Sequence, residues 1–254
     1  PSPSAPPATT AAHFMGPPGF SSFPTRVGNP APFLVGDPIR IWREVTADHG
    51  VALYVHYSGL LDERAVQLHP DWARIDEEGR ADAALVSIYS PYLRELMLPQ
   101  LKELVDEYQV DGVWVDGDCW ADARDYSPAA LTAFREETGI ADIPRSREDA
   151  HFERFSDFSR DAYRRHLRSY VDEMHKYCPT LQIGSNWAFS SMMPEAVTAG
   201  VDFLTGDSAP AMGVYPRLEA RSPAHPCFRP LSSSLLPSSL LFFFPLSLPL
   251  LPSR

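Results

Sequence analysis

The sequence is poor in positive charge and lacks long apolar runs, and each shortage disfavours a class of partner. Its 254 residues include 22 lysines and arginines against 33 aspartates and glutamates, a formal net charge of −11. Phosphate groups are bound by clustered cations, so neither nucleic acid nor an anionic membrane is an expected partner. No uninterrupted apolar run approaches the ~20 residues that span a bilayer. The composition is compatible with a neutral ligand.

Cysteine is scarce, and the sequence shows no motif for a metal or a nucleotide. The cysteines are Cys119, Cys178 and Cys227, whose wide spacing matches no zinc site and leaves at least one unpaired. No glycine-rich phosphate loop follows any expected strand. We therefore expect neither a metal nor an organic cofactor. No signal peptide is visible either, which leaves the compartment, secreted or not, undetermined.

Acidic residues are absent from both ends of the chain, and proline is concentrated there. Residues 1–32 hold nine of the 26 prolines and residues 222–254 hold seven. Such segments neither sustain helices nor pair as central strands. We predict a disordered Pro/Ser-rich segment over 1–32, one domain over 33–221, and a Pro/Ser/Leu-rich tail over 222–254 that is non-native or disordered. A membrane anchor is the alternative for the tail, although prolines interrupt it.

The middle of the chain alternates amphipathic helices with short apolar strands. This order predicts a parallel sheet covered by helices, either a (β/α)₈ barrel or a doubly wound sheet. Without a glycine-rich phosphate loop the barrel is favoured. The expected helices are 37–49, 91–108, 127–138, 152–177 and 194–199, and the expected strands are 51–57, 110–116, 181–186 and 201–206.

The ends of the expected strands carry aromatic rings together with hydrogen-bonding groups. In a barrel, functional side chains collect at the carboxyl ends of the strands. Sugars stack their C–H faces on aromatic rings and need rigid partners for their hydroxyls, so a carbohydrate is the expected substrate. The alternatives are a core histidine at His56 and a solvated loop aspartate at Asp118. The expected substrate ligands are His56, Tyr57, Trp114, Asp118, Trp120, Asn186 and Trp187.

Two strand-end carboxylates are candidates for the chemistry. Asp116 leaves the apolar run Gly-Val-Trp-Val, where it could attack an anomeric carbon, and the aromatic neighbours favour this over an Asp that caps the next loop. Asp207, after the last expected strand, is the best-placed general acid. Glu195 is a weaker candidate because it fits the first turn of a helix.

Seven short motifs in this order resemble the hypothetical glycosyl hydrolases related to alpha-L-fucosidases, over roughly Gly19–Arg221. The resemblance implies a (β/α)₈ barrel and hydrolysis with retention, with Asp116 at the position of the nucleophile, whereas the position of the acid varies among related groups. The family's chain continues past Arg221 with further strands, so the expected barrel is incomplete at its C-terminal side. The motifs begin at Pro24, Val55, His69, Ser90, Asp111, Gly184 and Val201.

Residues and resemblance together predict a retaining glycoside hydrolase. Asp116 would form a covalent glycosyl intermediate, and Asp207 would act first as acid and then as base. The alternative is a truncated carbohydrate-binding remnant of such an enzyme, without turnover. A metal-dependent hydrolase is disfavoured because His56 is the sole histidine at an expected strand end. The sugar, its anomeric configuration and the oligomeric state are left open.

Overall fold

A computed structural model describes residues 19–116, 124–186 and 199–204, which form helices packed on a parallel sheet. The strands are β1 (Tyr54–Tyr57), β2 (Ala73–Ile75), β3 (Ala81–Val86), β4 (Gly112–Val115), β5 (Gln182–Ser185) and β6 (Phe203–Leu204). The α-helices are α1 (Pro38–Asp48), α2 (Glu63–Leu68), α3 (Leu98–Tyr108), α4 (Pro128–Thr138) and α5 (Phe152–Tyr177). A 3₁₀ turn at Pro70–Trp72 precedes β2, and a π-helical turn at Leu93–Met97 leads into α3.

The central sheet has four parallel strands in the order β1-β4-β5-β6. In its register, His56 of β1 lies beside Trp114 of β4, which lies beside Gly184 of β5. Because all four strands are parallel, their carboxyl ends meet at one edge of the sheet. That edge is where the expected site residues belong.

Local sequence explains where the helices begin and end. The Asp37 side chain accepts a hydrogen bond from the Arg40 N–H at the start of α1, and Ser127 caps α4 in the same way. Gly139, with a φ of 72°, ends α4 in the left-handed conformation that favours glycine. The expected positions of α1, α4 and α5 are confirmed.

One face of the sheet packs against α3 and α5 and forms the main core. Val113, Val115 and Ile183 are fully buried there, together with side chains of both helices. On the opposite face, Gly112 and Gly184 leave room for the rings of Tyr54 and Phe203, since a Cβ at either glycine would overlap one of them. These two rings meet edge to face with centroids 5.6 Å apart.

Beyond β1 the chain builds a separate antiparallel hairpin, β2–β3. Asp125, just before α4, ties the hairpin to that helix. Its buried carboxylate accepts hydrogen bonds from the N–H groups of Ile75 and Ser127 and from the Ser87 hydroxyl. A second aromatic cluster forms between α4 and α5, built on Tyr126, Phe134, Phe155 and Phe158.

The N-terminal part of the described chain is packed on α3, which differs from the expected disorder of residues 1–32. Phe23 is buried and meets the Tyr108 ring edge to face at 5.3 Å. Thr25 donates a hydrogen bond from its hydroxyl to the buried carboxylate of Glu103. Proline content alone therefore misplaced the boundary, because apolar and polar contacts to α3 hold the segment over 19–32.

Three further expectations concern the limits of two strands, the helix 194–199 and the closure of the sheet. Strands β1 and β6 begin later than expected, at Tyr54 and Phe203, where pairing with the neighbouring strand begins. Residues 205 and 206 of the last expected strand lie outside the described residues. The expected helix 194–199 lies outside the described residues, apart from Ala199. Within residues 19–116, 124–186 and 199–204, the parallel strands form an open four-stranded sheet rather than a closed barrel.

Asp62 is a buried carboxylate whose ionisation opposes folding. It caps α2 by accepting a hydrogen bond from the Ala65 N–H at 2.7 Å, and the Tyr92 hydroxyl donates to it at 3.0 Å. Burial raises the pKa of the Asp62 carboxyl above its ordinary value of 3.8, and these hydrogen bonds only partly oppose the rise. The folded state therefore holds the Asp62 proton more tightly than the unfolded state does.

An Asp62→Asn variant should gain stability relative to the natural chain as pH rises. A raised folded-state pKa gives stability that is complete below the unfolded pKa and is lost as pH rises through the folded one. Asparagine does not ionise, so the variant loses no stability in this way, and its side-chain oxygen can still cap α2. Urea unfolding between about pH 4 and pH 7 should show the difference in unfolding free energy growing with pH and then levelling off. A constant difference, or one that shrinks with pH, would contradict the assignment; Asp142→Asn, at an exposed site, controls for the lost charge.

Candidate active site

The site is built around Asp116, which directly follows β4 at the carboxyl edge of the sheet. Backbone hydrogen bonds continue one residue beyond the strands and fix its position. The Asp116 N–H donates to the Tyr57 carbonyl at 2.9 Å, and the Asn186 N–H donates to the Val115 carbonyl at 3.1 Å. The ends of β1, β4 and β5 are thus level with one another.

Both oxygens of the Asp116 carboxylate contact nitrogen atoms from the neighbouring strands. His56 Nε2 lies 3.0 Å from Oδ2, and Asn186 Nδ2 donates to Oδ1 at 2.6 Å. The side chain of His56 is 5% exposed and Asn186 is 1% exposed, whereas the Asp116 side chain is 30% exposed. The carboxylate is therefore accessible while its two partners are buried.

Trp114 lies on the same face of the sheet as His56 and packs against it. The two rings meet edge to face, with centroids 5.1 Å apart and planes at 68°. This contact limits rotation of the imidazole, because the ring cannot turn without meeting the indole. Trp114 therefore belongs to the site, next to the group that touches Asp116.

Tyr57 points to the opposite face of β1, as the alternation of a strand requires. Its ring is buried, and its hydroxyl donates to Gln100 Oε1 of α3 at 2.9 Å. The structure therefore brings His56, Trp114, Asp116 and Asn186 together and places Tyr57 on the helix side.

The two aspartates of the 111–117 motif have different surroundings. Asp111 lies at the amino end of β4, where its Oδ2 accepts hydrogen bonds from the Leu53 N–H at 2.7 Å and from Arg43 at 2.8 Å. It joins α1 to the start of the sheet. Asp116 lies at the other end of the strand, at the carboxyl edge of the sheet.

Four expected site residues, Asp118, Trp120, Trp187 and Asp207, lie outside the described residues, as does Glu195. The assignment of Asp207 as the general acid therefore stays a prediction.

The sequence predicts His56 and Asn186 as substrate ligands, which stays a prediction, and does not predict their contacts with Asp116. Both residues lie at the carboxyl ends of expected strands, as Asp116 does. Because the ends of neighbouring parallel strands lie side by side, this shared position is the signal that could have indicated the contacts.

Two features are absent from the part of the chain that the structure describes. It contains no group of three or more His, Cys, Asp or Glu residues arranged to hold a metal ion. None of its helices is long and apolar enough to cross a membrane.

The family is decided by comparison with known proteins. A family model for alpha-L-fucosidase matches residues 16–200. The chain belongs to the alpha-L-fucosidase family. The resemblance inferred from the motifs is thereby confirmed, and Asp116, His56 and Asn186 all lie inside the matched region.

Solved structures agree on the fold of this member of the alpha-L-fucosidase family. Alpha-L-fucosidase isoenzyme 2 from Paenibacillus thiaminolyticus matches with a TM-score of 0.55 and 19% identity, over 70% of this chain. The match spans only 28% of that enzyme's chain. The structural neighbours are glycoside hydrolases of the TIM-barrel fold. The described residues of this chain form a partial α/β unit of four parallel strands and covering helices.

Two galactosidases are more distant structural matches of this alpha-L-fucosidase family member. A beta-galactosidase from Bacillus circulans sp. alkalophilus gives a TM-score of 0.43 at 15% identity, covering 69% of this chain and 33% of its own. An alpha-galactosidase from Lactobacillus brevis gives 0.41 at 12% identity, covering 71% and 23%. No curated protein sequence matches this chain.

Proposed function

We propose that this chain carries the nucleophile of a retaining glycoside hydrolase, that the nucleophile is Asp116, and that the substrate is an α-L-fucoside. The observation that supports this most is the accessible Asp116 carboxylate at a strand end, with a nitrogen partner on each oxygen. The family match and the name of the fucosidase with the same fold support the choice of sugar.

The proposed reaction has two displacements at the anomeric carbon. In the first, an Asp116 oxygen forms a bond to that carbon while the bond to the leaving oxygen breaks, and a second carboxylic acid protonates the leaving oxygen. In the second, the same carboxyl group takes a proton from water, whose oxygen attacks the anomeric carbon and releases Asp116. The sugar leaves with its original anomeric configuration.

Asp207 is our candidate for the second carboxyl group, and the (β/α)₈ barrel is our candidate for the complete fold. Both follow from the order of strands along the chain, since Asp207 comes shortly after β6. Retaining enzymes hold their two carboxyl groups about 5–5.5 Å apart. A crystal structure with a bound sugar would test this separation for Asp116 and Asp207.

The nucleophile can be tested by trapping the covalent intermediate. An activated 2-deoxy-2-fluoro-fucosyl fluoride should react once, since the 2-fluorine slows both steps while the fluoride leaving group restores the first. Trypsin releases residues 103–124 as one peptide, because no Lys or Arg lies between Lys102 and Arg124. Mass spectrometry should find this peptide enlarged by one 2-fluorofucosyl group, and fragmentation should place the group on Asp116.

The same experiment separates the proposal from its alternative. Asp116→Asn should take no label, whereas the charge-matched Asp142→Asn should be labelled like the natural chain. A label on another residue of a hydrolysing sample would overturn the assignment. A folded sample that binds fucose but neither hydrolyses an aryl fucoside nor takes the label would instead be a non-catalytic carbohydrate-binding remnant.

A further inference from the structure

We propose that His56 and Asn186 are positioning residues that keep the Asp116 carboxylate ionised and in one orientation, rather than ligands of the substrate. This inference rests on the proposed role of Asp116 and adds the mechanism by which its state is controlled. The two residues come from opposite sides of β4, His56 from the end of β1 and Asn186 from just after β5. The carboxylate is therefore held from both sides by neighbours in the same sheet.

The geometry determines which atoms carry the protons. An ionised carboxylate only accepts hydrogen bonds, so His56 must carry a proton on Nε2 to bind Oδ2 at 3.0 Å. Asn186 donates from Nδ2 to Oδ1 at 2.6 Å. With one donor on each oxygen, the two Asp116 oxygens are held in one orientation.

Burial makes both donors rigid. Asn186 and the His56 ring are almost fully enclosed, and the edge of Trp114 packs against the imidazole. A side chain whose surroundings are packed loses little further entropy when it holds a partner. Hydrogen bonds donated to a charged carboxylate are also stronger than hydrogen bonds between neutral groups.

Electrostatics predicts the consequence for Asp116. A hydrogen bond donated to a carboxylate stabilises its charged form and lowers its pKa, so loss of either donor should raise the pKa of Asp116. Among the residues that the structure describes, the titratable His56 contacts Asp116 from β1, and the uncharged amide of Asn186 contacts it from the β5 side. A nucleophile with a raised pKa is protonated, and therefore inactive, over more of the acidic pH range.

Two substitutions that remove a donor side chain, called deletion variants below, and one conservative replacement test the positioning role. His56→Leu and Asn186→Ala each remove one donor, whereas His56→Gln places an amide N–H near the position of Nε2. For an aryl α-L-fucoside, each deletion should lower kcat about 10–100-fold, since small displacements of a reacting group cost this much. The acidic limb of kcat/KM should move up by about 1 pH unit. His56→Gln should recover most of both effects.

Binding of the sugar separates positioning from substrate contact. If the two residues act on Asp116, the dissociation constant for L-fucose should change less than about twofold in each deletion variant. Tyr126→Phe removes a buried hydroxyl that donates to the Pro144 carbonyl at 3.0 Å in the separate cluster between α4 and α5, and it serves as the control for a general loss of packing. It should leave the acidic limb where it is.

A measurement without turnover completes the test. In protein labelled with ¹³C at the aspartate carboxyls, the Asp116 signal is identified by its loss in Asp116→Asn, and its titration midpoint should rise in both deletion variants. Unchanged midpoints and an unchanged acidic limb would overturn the positioning role, as would a loss of fucose affinity with an unmoved pH profile. If the natural chain neither hydrolyses nor takes the fluorosugar label, the proposed function fails, and the titration still decides whether the two donors control Asp116.

Discussion

Replacing Asp116 by glycine is expected to lower kcat for an aryl α-L-fucoside by about 10⁴–10⁶-fold, the range seen when an enzyme loses a group on which its covalent step depends. Glycine removes the nucleophile and leaves a space beside His56 and Asn186. Glycine supplies neither the negative charge nor an oxygen that could form the bond to the anomeric carbon. The measurement is release of the aryl alcohol under saturating substrate.

Added azide should restore part of the activity of Asp116→Gly and reveal the stereochemistry. Azide can enter the space left by the carboxylate, and its nitrogen then forms the bond to the anomeric carbon as the aryloxide leaves. This single displacement gives a fucosyl azide of inverted configuration, whereas the natural chain should retain configuration. Asp142→Asn is the matched control and should keep its activity. Full activity of Asp116→Gly without azide would exclude Asp116 as nucleophile.

Replacing Phe155 by alanine should give the largest loss of stability of any change considered for this chain. Phe155 is 0% exposed and meets the rings of Tyr126 and Phe134 edge to face, at 5.1 and 4.8 Å. Truncation of a buried phenylalanine removes its transfer free energy and leaves a cavity, at a cost of about 3–5 kcal/mol. Since this cluster joins α4 to α5, its loss should loosen both helices.

Urea unfolding followed by circular dichroism measures this loss, and the chain offers a matched control. Phe33 is 85% exposed, so Phe33→Ala makes the same chemical change without opening a cavity. Its effect should stay within about 0.5 kcal/mol. Equal losses in the two variants would mean that the cluster between α4 and α5 is not a packed core in solution.

The helices could be predicted from sequence because their limits are set by local chemistry. Asp37 and Ser127 cap helices through contacts three residues away, and α5 spans the expected residues 152–177. The β2–β3 hairpin could not be predicted in this way. The hairpin contacts α2 and also Asp125, which is 50 residues from Ile75 along the chain.

For the site, the sequence was sufficient to single out Asp116 but not to find what surrounds it. An aspartate after a buried strand can be recognised from the strand alone. The contacts with His56 and Asn186 depend on strand order and register, which place β1 and β5 on either side of β4. Neither property can be read from the spacing of residues along the chain.

The same strand order has a consequence for the way this site is assembled during folding. Asp116 is 60 residues from His56 and 70 residues from Asn186 along the chain. Contacts between residues so far apart require the closure of long loops, which makes them slow to form. The three side chains can meet only after β1, β4 and β5 have paired, whereas α5 can begin to form from local contacts. The ¹³C signal of Asp116 would then report the final pairing of the sheet during refolding, later than the recovery of helical circular dichroism.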